Sequence, residues 1–423
     1  MLFLIGGFLL LIVLGFPIVF ALALVSFAYL AVFDIPVITM AQKMISGIDT
    51  YALLAVPFFI LAGNLMNTGG VTRRLFRFAS SLVGFIPGGL GHANVLASMI
   101  FAGMSGAAIA DAGGLGTIEI KAMQDEGFDT KFSAAVTAAS STIGPIIPPS
   151  IPMVIYASIA NVSVGKLFLA GAVPGILMGI VLMLMIYIIS RRRKYPVHAR
   201  FNLKEAANSF IDGFLPLMTP AIILGGILGG IFSPTEAAIV ASSYALILGM
   251  VVYREITFRD LLHVTLETVK TTSMVIYIIS AAAIYGFLLG REQVPQSVAQ
   301  FLFTISSNPY MIMLIIIIFL LIIGCFMETT AAIILLTPIL VPPVMQLGID
   351  PVHFGLVMVL TLMIGLITPP VGVVLYITSS IAKISFEDCT KATAPFIIPL
   401  VIVLLLSAYI PDLVMFLPNV LIH

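Results

Sequence analysis

The sequence predicts an all-α polytopic membrane protein that contains an inverted structural repeat with two re-entrant helical hairpins. Three observations lead to this fold class. Only 9% of the 423 residues are charged while 61% are hydrophobic, and the mean hydropathy is +1.20. Apolar runs long enough to cross a bilayer recur along the whole chain. Glycine, aspartate and proline positions in the first half recur in the second half at one fixed offset.

Composition excludes several classes of protein. A soluble domain carries roughly 25% charged residues, so a chain with 9% is not expected to be a water-soluble enzyme. The 19 basic and 19 acidic residues cancel, which leaves no basic face for nucleic acid. Two isolated cysteines and five scattered histidines do not predict a metal or haem site. With no GxxxxGK[ST] loop and no nucleophile–base pair at depth, we expect neither ATP hydrolysis nor another enzymatic activity.

Membrane spans follow from the length of the apolar runs, because a helix needs about 20 apolar residues to cross a bilayer. The predicted spans lie near residues 2–32, 51–67, 132–160, 167–190, 215–231, 235–253, 263–290, 354–381 and 392–417. Three further segments mix charged and apolar residues at helical spacing, which predicts helices lying at the interface. These segments are 73–88, 202–213 and 293–306.

Two other apolar stretches, at about 90–124 and 310–345, are interrupted in the middle by small or polar residues. This pattern predicts hairpins that enter the membrane and turn back. The positive-inside rule places the run Arg191–Lys194 in the cytoplasm. Counting spans from that run, the first hairpin opens to the cytoplasm and the second opens outward.

An internal repeat relates the two hairpins. Each of seven residues has the same residue type 221 positions later, namely Gly103, Gly127, Asp129, Gly144, Pro148, Pro149 and Pro174. The sequence therefore divides into an N-terminal scaffold span and linker (1–50), a first repeat (51–190) with broken helix 132–160, a cytoplasmic linker with scaffold spans (191–253), and a second repeat (263–417) with broken helix 354–381. Inverted repeats with broken helices are typical of secondary transporters, which bind their cargo near the midplane.

Prolines predict where the two broken helices open. Proline has no N–H and clashes with the carbonyl four residues earlier, so Pro148 releases the carbonyl of Gly144 and Pro369 releases that of Gly365. A free carbonyl in hydrocarbon costs several kcal/mol, and a sodium ion would satisfy it with oxygen ligation. The alternative is a plain proline kink whose carbonyls are satisfied by neighbouring helices.

The hairpin tips carry the remaining candidates. The first tip holds Ser105, Gly106 and Asp111, and the second holds Glu328, Thr329 and Thr330. Each tip is predicted to hold a cation with carbonyls and hydroxyls while the N–H groups of a half-helix face an anionic substrate. Tight helix packing is the alternative reading of the small residues. Asp111 is either a cation ligand or a cap of the second half-helix, and the same two readings apply to Glu328.

Four segments resemble the large membrane (M) subunit of tripartite ATP-independent periplasmic (TRAP) transporters, and within that family the sialic-acid branch. They are GMSGAAIADAGGLGTIEIKAM, SSTIGPIIPPSIPMVIYA, FSPTEAAIV and GLITPPVG. The resemblance covers essentially the whole chain. It implies an elevator-type secondary transporter in which a mobile domain holding both hairpins slides against a scaffold. It also implies coupling to sodium, with two or more ions, and no use of ATP.

The resemblance carries site residues onto this chain. Sodium ligands are implied at Ser105, Gly144, Ile147 and Pro148 for one ion, and at Gly324, Thr329, Gly365, Thr368 and Pro369 for the other. A substrate between the tips would lie near Ser105, Asp111, Ser150 and Thr330.

Partners and location are implied in the same way. A periplasmic substrate-binding protein (P-type) delivers an organic acid, with sialic acid favoured over a dicarboxylate or another carboxylate. A small four-helix membrane subunit (Q-type) pairs with the large one, and is expected here as a separate polypeptide. The bilayer would be the bacterial inner membrane. A gated anion channel is the alternative from another functional class, and it predicts current without accumulation.

Overall fold

The computed structural model describes residues 2–198 and 201–422, which form 21 α-helices and no strand over these ranges. The first helices are α1 (Leu2–Val13) and α2 (Ile18–Val32). The prediction of one span over 2–32 is therefore wrong. Gly15 adopts a left-handed φ of +85° and Pro17 has no N–H, so the helix cannot continue between them. Helices of 12 and 15 residues rise about 18 and 22 Å, short of a bilayer core of roughly 30 Å.

Residues 34–50, predicted as a linker, contain helix α3 (Ile38–Ile48). A 3₁₀ turn (Tyr51–Leu54) then leads into the first repeat. The helices of this repeat are α4 (Ala55–Thr68), α5 (Val71–Val83), α6 (Gly89–Ser105), α7 (Ala108–Gly113), α8 (Leu115–Asp125), α9 (Thr130–Ser141), α10 (Ile151–Ala160) and α11 (Val164–Arg193). Helices α6 to α8 form the predicted first hairpin, and α9 with α10 form the predicted broken helix.

Two helices join the repeats, α12 (Leu203–Leu228) and α13 (Pro234–Ile247), followed by a π-helical turn (Leu248–Val252). The separation of an interfacial helix at 202–213 from a span at 215–231 is wrong, because α12 is continuous. Pro216 has no N–H, so the carbonyl of Asp212 loses its main-chain hydrogen bond. Tyr253 satisfies that carbonyl by donating its hydroxyl hydrogen over 3.2 Å, so the helix continues through the proline.

The second repeat has the same order of elements. Its helices are α14 (Phe258–Arg291), α15 (Val294–Ile305), α16 (Pro309–Phe326), α17 (Thr329–Gln346), α18 (Pro351–Gly365), α19 (Val373–Ala382), α20 (Phe386–Tyr409) and α21 (Pro411–Leu421). The predicted single span 392–417 is wrong, since α20 ends at Tyr409 and α21 begins at Pro411. A residue before proline avoids the helical region, and Ile410 has φ −120° and ψ 81°.

The offset of 221 holds for whole elements. The segment α7–α8 runs from Ala108 to Asp125, and α17 begins and ends 221 residues later. The left-handed glycines Gly127 and Gly348 share this offset. So do the cis peptide bonds Pro148–Pro149 and Pro369–Pro370. The internal repeat predicted from single residues is thus a repeat of backbone structure.

Contacts between the two copies are reciprocal. Helix α10 of the first copy packs against α17 and α18 of the second, and α19 of the second packs against α7, α8 and α9 of the first. Reciprocal contacts of this kind arise from a two-fold relation between copies. The base of the first hairpin lies beside Lys121 and Lys131, whereas the base of the second lacks basic residues. Together with the two-fold relation, this charge difference indicates inverted topology.

The centre of the molecule is formed by α9 and α18, whose residues are nearly all buried. Helix α11 lies at the periphery and exposes Ile176, Ile180, Leu184 and Ile188. These residues are four positions apart, so they form one apolar stripe suited to lipid. Over the described residues, eight helices are long and apolar enough to cross a membrane.

Candidate cation and substrate site

The first hairpin turns where α6 ends, at Ser105 and Gly106. Gly106 has a left-handed φ of +61°, and a Cβ there would lie 2.7 Å from the carbonyl oxygen of Pro149. The N–H of Ile151 donates to the carbonyl of Gly106 over 3.3 Å. The tip of the hairpin is therefore bonded to the opened segment between α9 and α10. The tip thus lies beside the break between α9 and α10, where the sequence predicts the midplane of the membrane.

Asp111 lies behind this tip and is 2% exposed. Its carboxylate accepts a hydrogen bond from Ser105 Oγ, while Oδ2 has no partner among the described residues. A Cβ at Gly144 would overlap Asp111 Oδ2. Ser105, Asp111 and the proline-opened backbone at Gly144 therefore converge on one unsatisfied oxygen. Asp111 does not cap a helix, since neither α7 nor α8 has a side-chain cap.

The other predicted residues of this site have separate positions. The side chain of Ile147 packs against Gly175 of α11. That side chain is a hydrocarbon, so only the main chain of Ile147 could bind a cation. The carbonyl oxygen of Pro148 lies close to Gly103: a Cβ added to Gly103 would be 3.8 Å from that oxygen. Ser150 is fully buried and caps α10, accepting from the N–H of Met153 over 3.3 Å.

The start of α10 does not offer amides to a substrate. The N–H of Ile151 is bonded to Gly106, Pro152 has no N–H, and the N–H of Met153 is bonded to Ser150. The prediction that N–H groups face an anion concerns the half-helices that start at the hairpin tips, α7 and α17, whose first turns line the cavity described below, and it stays a prediction. The hairpin tip and the capping serine already satisfy the donors that a broken helix leaves exposed.

The second tip has a similar construction. The N–H of Val371 donates to the carbonyl of Cys325 over 3.2 Å, which joins the tip to the opened segment after α18. A Cβ at Gly365 would lie 2.6 Å from Gly324 Cα, so both glycines are required for this close approach. Thr368 Oγ1 donates to Ile364, and Pro369 is exposed.

Two acceptor oxygens mark the start of α17. Glu328 caps the helix, accepting from the N–H of Ala331 over 3.2 Å and from Thr330 Oγ1 over 2.9 Å. Of the two readings left open by the sequence, the structure shows the capping one for Glu328. Thr329 Oγ1 is buried and has no partner among the described residues. Like Asp111 Oδ2 near the first tip, it is a buried oxygen left without a hydrogen-bond partner near the second tip.

A cavity of about 810 Å³ separates the two tips from helices α2, α4 and α14. Ser105, Glu328, Thr329 and Thr330 lie on its wall, together with the first turn of α7. Asp111 and Ser150 lie behind the wall and do not face the cavity. Of the four residues implied for substrate, Ser105 and Thr330 are thus brought to the cavity and the other two are not.

Sequence reasoning missed the polar groups on the opposite wall. These are Asn64 of α4 and Thr271 and Tyr277 of α14. Asn64 Nδ2 donates to Thr268 Oγ1 over 3.1 Å, which orients the amide. No local motif marks these residues, because only the approach of α4 and α14 to the tips places them at the cavity.

Comparison with known proteins identifies the family. Residues 5–413 match the family model described as tripartite ATP-independent periplasmic transporter, DctM component. The chain belongs to this family. It is a TRAP large permease and hence a multi-pass protein of the bacterial inner membrane. The relatives are transporter permeases rather than enzymes. The family works with a substrate-binding protein and a small permease as a tripartite transporter.

Individual relatives agree with this assignment. The sialic acid TRAP transporter large permease protein SiaM of Vibrio cholerae is 47% identical over 406 residues, covering 96% of this chain and 95% of that protein. The sialic acid TRAP transporter permease protein SiaT of Haemophilus influenzae is 42% identical over 96% of this chain, which spans 66% of that protein. The 2,3-diketo-L-gulonate TRAP transporter large permease protein YiaN of Escherichia coli is 38% identical over 97% of this chain and 96% of its own length.

Two solved structures share the fold of the permease. The YdaH transporter of Alcanivorax borkumensis superposes with a TM-score of 0.64 over 88% of this chain and 86% of its own. MtrF of Neisseria gonorrhoeae superposes with a TM-score of 0.66 over 89% of this chain and 85% of its own. Both are 13% identical in sequence. At that identity the likeness concerns the fold alone.

Proposed function

We propose that this permease imports an organic acid, with sialic acid favoured, by sodium symport in an elevator cycle. One observation carries the proposal: Asp111 Oδ2 and Thr329 Oγ1 are buried oxygens without a partner among the described residues, Thr329 on the wall of the cavity and Asp111 behind that wall against Gly144 of the proline-opened segment. Sodium prefers oxygen ligands, and opened backbone at mid-depth is where secondary transporters supply them. Ser105, Asp111, Gly144, Ile147 and Pro148 would hold one ion.

The second ion would be held by the equivalent segment of the second repeat. Its candidate ligands are Gly324, Thr329, Gly365, Thr368 and Pro369. Two sodium ions and one monoanion carry a net charge of +1 inward. At 100 mV this supplies about 2.3 kcal/mol, and a tenfold sodium gradient adds about 1.4 kcal/mol per ion. The total of about 5 kcal/mol supports accumulation of more than a thousandfold.

The wall of the cavity supports a hydroxylated monoacid as substrate. Among its described residues, Glu328 is the one charged side chain, and the others are amide, hydroxyl or apolar. Hydroxyl groups of a sugar acid match the side chains of Asn64, Thr271 and Thr330. A dicarboxylate would bring two negative charges to a wall without lysine or arginine. The sialic acid relatives, at 47% and 42% identity, support the same choice.

A dicarboxylate remains the second candidate, because one relative points to it. The C4-dicarboxylate TRAP transporter large permease protein DctM of Pseudomonas aeruginosa is 42% identical over 90% of this chain. The cargo would be delivered at the outer face by the binding protein. The small subunit is proposed to have four helices. Helices α6–α11 and α16–α20 would form the mobile domain, and α1–α5 with α12–α15 the scaffold.

Uptake by the complete transporter in proteoliposomes tests this proposal. With the binding protein present, we expect labelled sialic acid to accumulate against its gradient when sodium is outside. Replacing sodium with potassium or choline at the same clamped membrane potential should abolish uptake. Succinate is the control substrate and should compete weakly. Equal uptake without sodium would contradict the symport, and equilibration without accumulation would indicate a channel instead.

A further inference from the structure

The first hairpin contains a buried polar cluster that the cation site does not use. It lies between α6 and α9, on the cytoplasmic side of Ser105. Asn94 Nδ2 donates to Thr137 Oγ1 over 2.7 Å, and Ser140 Oγ donates to Asn94 Oδ1 over 2.7 Å. Ser98 Oγ donates to Ser140 Oγ over 3.1 Å. Three hydrogen bonds thus join these four side chains to one another.

Glu119 of α8 packs into the same group of helices. Its side chain is 1% exposed, and it has no hydrogen bond or ion pair with any residue in the described ranges. Gly116, one turn earlier, contacts Thr137 so closely that a Cβ would lie 2.7 Å from its Cγ2. Glu119 is therefore a carboxyl group inside the hairpin, with Oε1 unsatisfied.

No cation neutralises this carboxyl group within the described chain. Helices α5, α6, α7, α9 and α19 pack against α8. On α5, Arg74 and Arg77 pair with Glu255, Asp212 and Glu205, and Arg73 pairs with Glu255. At the start of α9, Lys131 pairs with Asp388, and Asp129 pairs with Arg193. Lys121 and Asp125 of α8 itself are exposed.

The remaining ionisable neighbours do not supply a positive charge. His92 of α6 is buried, and the ring of Tyr376 on α19 stacks on Phe386. Asp111 on α7 is itself a carboxyl group and cannot supply a positive charge. An unpaired buried carboxylate is strongly unfavourable, so the group is neutral unless a cation reaches it.

The second repeat shows that packing does not require these polar groups. At the positions 221 residues later, Glu119 is replaced by Leu340, Asp111 by Ala332 and Thr137 by Met358. All three replacements are buried in the same backbone arrangement. Hydrophobic side chains therefore fit these three positions of the repeated backbone, although Ser140 has a buried hydroxyl counterpart in Thr361.

We propose that Glu119 is a proton-exchanging site of the first hairpin, which makes the transport cycle depend on cytoplasmic pH. The carboxyl group carries its proton in this conformation. In another step the O–H bond breaks, the electron pair stays on the carboxylate, and the proton passes to cytoplasmic water. The path to water along the helix is short, because α8 is exposed at Asp125, which lies six residues and about 9 Å beyond Glu119.

Infrared spectroscopy of the permease in lipid tests the protonation state without any transport. We expect the carbonyl stretch of a protonated carboxyl group at neutral pH, lost in part in Glu119→Gln and unchanged in Asp125→Asn. Asp125 is the matched control because it is exposed on the same helix. Glu119→Leu, which installs the residue of the second repeat, should fold and show the same loss. An unchanged stretch in both Glu119 variants would overturn the proposal.

The role in the cycle rests on the proposed function and needs uptake measurements. In the complete transporter, sodium-driven uptake should change several-fold with internal pH for the wild type and for Asp125→Asn. For Glu119→Gln it should be independent of pH. A wild-type pH profile in Glu119→Gln would overturn the cyclic role. Absence of sodium-driven uptake in the wild type would instead contradict the proposed function, while the infrared result on Glu119 would stand.

Discussion

Asp111 illustrates how much of this site is decided residue by residue. Its burial within an apolar stretch identifies it as a functional candidate from sequence alone. Choosing between a cation ligand and a helix cap for Asp111 requires the tertiary structure. The contact of the hairpin tip with the opened helix brings Ser105 and Gly144 to the carboxylate. Glu328 looked equivalent in sequence, yet it caps α17.

At this scale we predict that Gly144→Ala impairs sodium coupling more than Ser105→Ala. The alanine Cβ would overlap Asp111 Oδ2, so the carboxylate or the opened backbone must move. Ser105→Ala removes one hydrogen bond to a carboxylate, worth roughly 1.5–3 kcal/mol, or a roughly 10- to 150-fold rise in the half-saturating sodium concentration. The measurement is uptake as a function of sodium. Gly113→Ala is the control, because a Cβ there has no neighbour within 4 Å. Equal half-saturation in all three variants would remove Gly144 from the site.

Helices α5 and α15 occupy equivalent places in the two repeats but differ in charge. Each leads into the base of a hairpin, but only α5 carries arginines. Arg74 Nη2 lies 2.7 Å from Glu255 Oε1, and its guanidinium lies 3.8 Å from the ring centre of Tyr253. These contacts therefore join two parts of the proposed scaffold beside the cytoplasmic base of the first hairpin, whereas the helix leading to the second hairpin lacks charged residues.

We expect Arg74→Ala to destabilise the permease by about 2 kcal/mol and Arg73→Ala by under about 0.5 kcal/mol. Arg74 is 16% exposed, and its loss removes the 2.7 Å ion pair with Glu255 and the contact with the ring of Tyr253, whereas Arg73 is 72% exposed and its 3.5 Å ion pair with Glu255 is screened by water. Thermal unfolding in detergent can be followed by a thiol reagent, since Cys325 and Cys389 are both buried. Indistinguishable midpoints for the two variants would contradict the proposed role of Arg74.

At the scale of the whole molecule, the elevator proposal depends on the interface between the proposed mobile domain and the proposed scaffold. The proposed mobile domain meets the scaffold where α10 contacts the 3₁₀ turn before α4, and Thr50 Oγ1 lies 3.0 Å from Ser158 Oγ there. An elevator cycle must separate these residues. Ser81 and Ser209, with hydroxyl oxygens 2.8 Å apart, join α5 to α12 within the proposed scaffold and would stay together.

Paired cysteines test this displacement. Oxidation of Thr50→Cys/Ser158→Cys should form a disulfide and reduce uptake at least tenfold, with recovery on reduction. Oxidation of Ser81→Cys/Ser209→Cys should leave uptake near the wild-type rate. The oxidised wild type controls for Cys325 and Cys389. If the first pair is cross-linked in full and transport continues unchanged, the two groups of helices do not move past each other at this contact.

The sequence by itself determined the membrane class, the repeat and the positions of both helix breaks. These properties depend on hydropathy, on a fixed offset and on proline, which act locally on the backbone. Sequence analysis missed the breaks at Gly15 and Ile410. It also divided α12 near Pro216, where Tyr253 of another element replaces the lost hydrogen bond to the carbonyl of Asp212. Only the tertiary structure decided which tip residues face the cavity, that Asn64 and Thr271 complete its wall, and that Glu119 lacks a partner among the residues the structure describes. Those outcomes depend on how distant helices approach one another, and no local pattern encodes that approach.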